Sequence, residues 1–138
     1  MKLLVFHAES FDFRATSAGS PLAAEQPEPP QAEHKDAALA FIQVEPCDEE
    51  RGTAVIKQAL KYFQWFCRKR ELQTVILHSF AHLGEQRSSP EFARDLLQAL
   101  SEQLQQRGYA ASQTPFGWSL EWTLSVAGHA YAKTFKQL

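Results

Sequence analysis

Cysteines and long hydrophobic runs are scarce in this chain of 138 residues. Its two cysteines, Cys47 and Cys67, form no CxxC pair and have no paired histidine motif beside them, so we expect neither a disulfide nor a zinc site. No apolar run approaches the roughly 20 residues that a membrane helix needs. The apolar stretch after Lys2 is too short for a signal-peptide core. The sequence therefore predicts a cytoplasmic protein that does not contact a membrane.

Positive charge is not in excess either. The 14 lysines and arginines are outnumbered by 16 aspartates and glutamates, which gives a net charge of −2. Tight nonspecific binding to nucleic acid requires several neutralised phosphates, so the composition disfavours it but leaves a localised contact open. Hydrophobic residues make up 44% of the chain, and the length is that of one domain. We expect a single globular domain over residues 1–138.

The first third of the chain contains one segment that is unlike its neighbours. Residues 2–6 are almost continuously apolar, as in a buried strand, and the alternation at 11–13 predicts a short neighbouring strand. Residues 16–35 are rich in Ala, Ser, Glu and Pro, with Pro27-Glu28-Pro29-Pro30 inside them. Proline there disfavours a helix or an interior strand. We expect a surface loop at about 16–35, either an unstructured connection or a lid over a site.

The remainder of the chain alternates between strand and helix patterns. Apolar residues recur every three or four positions in the two helical segments, and strict alternation marks the last strand. Ser89 caps the second helix, with Pro90 at its first position and Gly108 beyond its end. These patterns predict an α/β domain with a mixed or antiparallel sheet and two main helices on one side. The predicted elements are strands at 37–44, 74–77 and 118–126, helices at 53–70 and 90–107, and a short terminal helix from about His129.

Histidines are the clearest candidates for chemistry. His82 follows a buried strand and precedes a turn at Gly84, so its side chain can project from a loop on a rigid scaffold, and histidine is a common acid–base residue. A purely structural histidine that caps a helix or bonds a carbonyl is the alternative. His7, at the end of the first strand, is either a site residue or a core histidine. We expect His34 and His78 to be structural or solvent-exposed, and His129 to begin a helix rather than to bind a ligand.

Four short motifs occur in an order that resembles one protein family. The chain looks like the N-terminal editing domain of archaeal-type threonyl-tRNA synthetase, whose fold is shared with D-aminoacyl-tRNA deacylases. The resemblance extends from Met1 to about Lys133. The residues that carry it are Phe80-Ala81-His82-Leu83, Arg107-Gly108-Tyr109, Pro115-Phe116-Gly117 and Gly128-His129.

The resemblance also implies a set of site residues. The matching histidine of the family lines an editing pocket, which assigns a catalytic role to His82. Backbone groups of the family's pocket recognise the amino acid, and such groups reject a substrate by shape. The substrate-binding positions implied in this chain are His7, Ile42, Gln43, Val44, Glu45, Ala81, Pro115, Phe116, Gly117, Trp118 and Leu120. No metal or organic cofactor is implied.

Two positions depart from the family pattern. Leu120 stands where the family has a lysine, and Lys133 stands where it has a glutamate, and both family residues are implied to position or activate water. Leucine can neither transfer a proton nor stabilise an oxyanion. Two accounts stay open. Either Lys133 reaches the pocket from the predicted terminal helix and is catalytic, or the site is inactive.

The function implied by the resemblance is hydrolysis of a misacylated aminoacyl-tRNA by a stand-alone editing domain. The substrate would be seryl-tRNA on threonine tRNA, and the implied partners are aminoacyl-tRNA, a threonyl-tRNA synthetase and a second copy of the chain in a homodimer. The alternative is a non-catalytic domain of the same fold that binds tRNA or a synthetase. Arg68-Lys69-Arg70, near Trp65, either complements a helix dipole or contacts the tRNA acceptor stem.

Overall fold

Strands and helices follow one another along the whole chain, and the computed structural model describes all residues from 1 to 138. Three helices accompany six strands, and the two longer helices have the apolar stripe that the sequence predicts. In chain order the elements are β1 (Lys2–Ala18), β2 (Gln31–Gln43), α1 (Pro46–Arg51), α2 (Thr53–Arg68), β3 (Thr74–Ser79), α3 (Pro90–Gln106), β4 (Ala110–Gln113), β5 (Trp118–Val126) and β6 (Lys133–Gln137).

The six strands form one mixed sheet in the order β4-β3-β2-β1-β5, and β6 also pairs with β1. β1 is antiparallel to β2, β5 and β6, whereas β2, β3 and β4 run parallel to one another. β6 pairs with the first half of β1 and β5 with the second half, so both lie along the same edge of that strand. The predicted mixed sheet is confirmed.

Both long helices pack on one face of the sheet. Their apolar stripes meet alternate residues of the strands, such as Leu3 and Val5 of β1, in a core of 22 buried residues. The side chain of Ser89 accepts a hydrogen bond from the backbone of Phe92 at the start of α3, as predicted. The opposite face has a smaller cluster of seven buried residues, which includes Phe11 and Phe41. None of the helices combines the length and apolar character that crossing a bilayer requires.

Two expectations about the ends of elements were wrong. The strand expected at 11–13 is part of β1, and only residues 19–30 lack regular structure between β1 and β2, rather than 16–35. The prolines all fall within this shorter loop, and the flanking polar residues alternate with half-buried ones in a long hairpin that pairs Arg14 with Gln31. Alternation therefore predicts the hairpin better than composition does.

The predicted helix at the end of the chain was also wrong, because β6 occupies that region. The half of β1 that β5 leaves unpaired offers free backbone groups, and residues 133–137 pair with them. Backbone groups at a sheet edge must find partners in protein or water. Lys133 consequently lies on a strand, opposite Phe6, and its side chain is exposed.

Candidate functional site

The main cavity of interest lies where the chain leaves the carboxyl end of β3. It has a volume of about 500 Å³. The walls are the segment that follows β3, the turn between β4 and β5, the beginning of β5 and the beginning of the 19–30 loop. Ligands in open α/β sheets bind at such strand ends. Its predicted site residues are Ala81, His82, Pro115, Phe116, Gly117, Trp118 and Leu120.

A second, smaller hollow of about 140 Å³ adjoins the first. Ile42 and Gln43 at the end of β2 and Val44 just after it line this hollow. The resemblance gives all three as substrate-binding positions. The two hollows adjoin because five residues line both: Ser79, Ala81, Arg87, Pro90 and Phe116. The smaller hollow has the volume of about five water molecules at roughly 30 Å³ each, which suits a small amino acid.

Gln43 fixes the loop that carries His82. Its side chain is buried, and its amide oxygen accepts a hydrogen bond from the backbone of Leu83 at 2.6 Å. Its amide nitrogen donates to the carbonyl oxygens of Gly84 and Gln86 at 3.2 and 2.6 Å. His82 is itself exposed, and its ring packs edge-on against Phe80 with the centroids 5.4 Å apart. A buried amide therefore positions the loop and leaves the imidazole free to meet a ligand.

Three of the predicted site residues do not line either hollow. The Nδ1 atom of His7 lies 2.9 Å from Nε2 of His129, in a contact between β1 and the turn before β6. Lys133 lies on β6, and the Glu45 carboxylate is engaged by the Met1 amine and by Nζ of Lys2, each at 3.0 Å. These placements give His7 and Glu45 structural contacts, and they separate Lys133 from the residues that line the hollows.

Glu45 belongs to a buried charge network at the start of α1. Burial raises the pKa of its carboxyl, but hydrogen bonds from Lys2 and the Met1 amine outweigh that effect and lower the pKa overall. Glu45, Cys47 and Asp48 place donor atoms within 4.8 Å of one another. Since Asp48 also binds the Met1 amine, at 2.7 Å, both carboxylates are satisfied as ion-pair partners.

His78 is a cavity residue that sequence reasoning missed. Its Nδ1 atom lies 2.8 Å from the Thr114 hydroxyl oxygen, and the edge of its ring faces Phe41. Burial lowers its pKa to about 4, so the imidazole is neutral at pH 7. The strand was expected to end at Leu77. Continuing the alternation from Ile76 would have placed His78 on the face opposite the helices.

Arg87 is the second missed residue. It lines both hollows and is the only lysine or arginine that lines either. Its side chain is exposed, and it lies between the Gln43-bound turn and Pro90 at the start of α3. The sequence gives no periodic signal in this connection, so only the folded chain brings Arg87 to the site.

The 19–30 loop is tied to the cavity wall at three points. The indole nitrogen of Trp118 donates to the Ala24 carbonyl at 3.1 Å, and the backbone nitrogen of Gly19 donates to the Gly117 carbonyl at 2.7 Å. Gly117 has φ +76°, and a Cβ atom there would lie 2.9 Å from Cβ of Ser20. The loop is therefore packed on the turn between β4 and β5, and glycine is required at that contact.

A further hollow, of about 490 Å³, lies at the far end of the β1–β2 hairpin. Its charged residues include Arg14 and Glu121, which pair with each other across β1 and β5. Both side chains are exposed, and none of the predicted site residues lines this hollow. The adjoining hollows beside His82 remain the better candidate site.

Comparison with known sequences decides the family. The profile of the Archaea-specific editing domain of threonyl-tRNA synthetase matches residues 1–138. The chain belongs to this family. Membership confirms the resemblance seen in the sequence, and it supports a role in the proofreading of tRNA aminoacylation.

Relatives of this editing-domain chain include much longer proteins. The threonine–tRNA ligase of Methanopyrus kandleri is 30% identical over 129 residues, which cover 94% of this chain and 20% of that protein. The corresponding ligase of Methanothrix thermoacetophila is 31% identical over 139 residues, covering 100% of this chain and 22% of that protein. The chain thus spans about a fifth of the length of these curated relatives.

A solved structure of the c-Myc DNA Unwinding Element Binding Protein has the same fold. The TM-score is 0.64, and the alignment covers 100% of this chain and 99% of that one. Sequence identity is 10%, so the likeness concerns the fold alone. The predicted D-aminoacyl-tRNA deacylase-like fold is confirmed.

Proposed function

We propose that this editing domain hydrolyses the ester bond of a misacylated tRNA as a separate chain, with seryl-tRNA on threonine tRNA as its substrate. The supporting observation is that His82 and Arg87 line a cavity adjoining a small hollow bounded by Ile42, Gln43 and Val44. The small hollow would hold the amino acid, and the larger cavity the terminal ribose. Such a reaction takes place in the cytoplasm.

The reaction needs one water molecule and no redox step. Water adds to the ester carbonyl carbon, the bond from that carbon to the ribose oxygen breaks, and the ribose oxygen receives the proton that water loses. The products are a free amino acid and tRNA. His82 orients the water and transfers this proton, since histidine is the side chain that most often acts as a general acid and base. Backbone N–H groups near Ala81 stabilise the negative charge that develops on the carbonyl oxygen.

Arg87 supplies positive charge in place of the lysine that the resemblance implied at position 120. Leu120 lines the larger cavity and carries no charge, whereas Arg87 lines both hollows and brings a guanidinium, which suits bidentate binding of anions. In this proposal Arg87, rather than Lys133, binds the negatively charged part of the substrate. The choice rests on the position of Arg87 in the lining of the two hollows.

A panel of substrates tests the proposal. The purified chain is incubated with seryl-, threonyl-, alanyl- and D-aminoacyl-tRNA, and ester loss is followed as acid-precipitable radiolabel against the spontaneous rate without protein. We expect faster loss from seryl-tRNA than from threonyl-tRNA, because an extra methyl group must fit the small hollow. Spontaneous rates for every substrate would contradict the proposed activity.

A non-catalytic domain that binds tRNA or a synthetase is the second candidate. Its support is Leu120, an inert side chain at a cavity position where the resemblance implies a lysine. Binding of aminoacyl-tRNA without any ester loss would favour this alternative.

We also propose that the chain forms a homodimer through the sheet face opposite the helices. Trp122 and Phe135 are 48% and 57% exposed, and their strand partners Phe13 and Leu4 belong to or pack on the apolar cluster of that face. Exposed aromatic groups on a half-covered sheet face favour a symmetric partner.

A further inference from the structure

The outer face of α2 is basic in a chain that is acidic overall. Residues 53–70 contain five lysines and arginines and no aspartate or glutamate, although the net charge of the chain is −2. Lys57, Lys61, Arg68 and Lys69 are exposed. The spacing of the first three, with Trp65 between them, places them along one side of the helix. We call Lys57, Lys61, Trp65, Arg68 and Lys69 the basic face.

An exposed indole lies in the middle of the basic face. Trp65 is 44% exposed, and it lines two neighbouring hollows of about 550 and 340 Å³. Lys61, Arg68 and Lys69 surround it in the first hollow, and Lys69, Arg70 and Tyr131 in the second. Tyr131 is 71% exposed. Two aromatic rings therefore border the cations, and each has a free surface.

Arg70 holds these aromatic groups in place. Its guanidinium carbon lies 3.7 Å from the ring centroid of Phe66 and 5.4 Å from that of Trp65. It donates hydrogen bonds to the Phe66 carbonyl at 2.8 Å and to the Tyr131 carbonyl. Arg70 thus joins the end of α2 to the turn before β6, and the arrangement is fixed before any ligand binds.

Structural needs explain only part of this surface. Cations in the last turn of a helix interact favourably with its dipole, which accounts for Arg68 and Lys69. Lys57 and Lys61 lie nearer the middle of α2, where that effect has decayed. No residue of the basic face takes part in the ion pairs of the chain. Unpaired cations around an exposed indole point to an anionic ligand with flat rings.

We propose that the basic face binds RNA, with Lys57, Lys61, Arg68 and Lys69 on phosphates and Trp65 and Tyr131 against bases or riboses. RNA combines these two chemistries, because its phosphates pair with cations and its unstacked bases stack on aromatic side chains. The inference deepens the proposed function, since the RNA would be the tRNA whose ester is cleaved. α2 starts near the end of β2 and is about 24 Å long at 1.5 Å per residue. The end of α2 that carries Arg68 and Lys69 would thus contact the tRNA body rather than the reacting 3′ end.

Binding of uncharged tRNA tests the inference without requiring hydrolysis. Fluorescence anisotropy is measured with a labelled threonine tRNA transcript at several salt concentrations. The Lys61→Ala/Arg68→Ala double variant is compared with Arg94→Ala/Arg107→Ala, which removes two exposed cations near α3. We expect the first pair to weaken binding by about 10-fold or more and to reduce the slope of log K against log salt by about 2. The control pair should change affinity less than about 2-fold.

Trp65→Ala tests the stacking contact. We expect about 10-fold weaker tRNA binding, within the range for losing one base–aromatic contact, and an unchanged salt slope because no charge is removed. Circular dichroism confirms that each variant is folded. The inference is overturned if both double variants weaken tRNA binding equally, or if the wild-type chain does not bind tRNA. It is also overturned if polyglutamate displaces the labelled tRNA as well as unlabelled tRNA does. If tRNA binds through the basic face but no ester is lost, the inference holds and the proposed hydrolysis fails.

Discussion

Nδ1 of His78 lies 2.8 Å from the hydroxyl oxygen of Thr114, in the lining of the larger cavity. This contact joins β3 to the segment after β4 and places an uncharged ring beside the proposed substrate. Burial lowers the pKa of His78 to about 4, whereas an unhindered histidine has a pKa of 6.5. The imidazole of His78 therefore takes up a proton more readily in the unfolded chain than in the folded chain.

The first prediction concerns stability in acid. Between pH 6.5 and about 4 the unfolded chain binds more protons at His78 than the folded chain does, so the free energy of unfolding falls as the pH falls. This histidine should account for a loss of about 2 to 3 kcal/mol by pH 4, and for none above pH 7. The His78→Gln variant keeps a hydrogen-bonding group but does not titrate. Urea unfolding at several pH values should show that the free energy of unfolding of this variant depends less on pH than that of the wild-type chain. An identical pH dependence in the two chains would refute the assignment.

The second prediction concerns His82. The His82→Ala variant should deacylate seryl-tRNA roughly 10- to 1000-fold more slowly, a range typical of losing one positioned proton-transfer or donor group. Its thermal unfolding should be unchanged because the side chain is exposed. Glu85→Ala is the control, since this neighbouring side chain is also exposed and lies outside both hollows. An undiminished rate in His82→Ala would remove that residue from the mechanism.

The third prediction separates the two candidate cations. Arg87→Ala should lower deacylation by about 10-fold or more, because it removes a charged hydrogen-bond donor to the negatively charged part of the substrate, and such a bond contributes about 1.5 to 3 kcal/mol. Arg87→Lys should retain part of the activity, and Lys133→Ala should leave it unchanged. Adding Leu120→Lys to the Arg87→Ala variant should recover some activity by returning an ammonium to the cavity lining. If the Lys133→Ala variant loses deacylation activity while the Arg87→Ala variant retains it, Lys133 supplies the charge instead.

The fourth prediction concerns assembly. Light scattering should give twice the chain mass at micromolar concentrations if the aromatic sheet face is an interface. Trp122→Asp should convert the protein to a monomer, because a carboxylate placed at the centre of an apolar contact loses its hydration. Trp65→Asp, on the helix side of the sheet, should leave the mass unchanged. A monomeric wild-type chain would contradict the proposed dimer.

Sequence patterns predicted a helix or strand correctly where capping residues and apolar periodicity indicate the same structure that packing produces. Ser89 and Pro90 mark the beginning of α3, and the alternation from Trp118 to Val126 gives β5 its bounds. The terminal helix was wrong because residues 133–137 were interpreted in isolation. Their conformation is decided by the unpaired edge of β1, which is distant in sequence.

Residues of the contiguous motifs lie together in the structure, and two further residues that line the same hollow lie outside those motifs. Ala81 and His82 meet the Pro115–Trp118 turn in one cavity, as the motifs implied. Arg87 comes from a connection with no periodicity, and His78 from a strand that was expected to end at Leu77 but ends at Ser79. The proximity of both to the site depends on the parallel pairing of β2 with β3 and on the position of the start of α3 beside them, which single-sequence patterns do not encode.

The pairing of β1 with three other strands sets the order in which the domain can form. Among the strands of this domain β1 is synthesised before the others, but its partners β5 and β6 lie at residues 118–126 and 133–137. Protein synthesis proceeds at about 5 to 20 residues per second. Roughly ten seconds therefore pass between the synthesis of β1 and that of β5 and β6. During that time one edge of a long strand containing Phe11 and Phe13 is open to pairing with other chains. Synthesis of this domain therefore includes an interval in which a chaperone that shields strand edges would raise its yield.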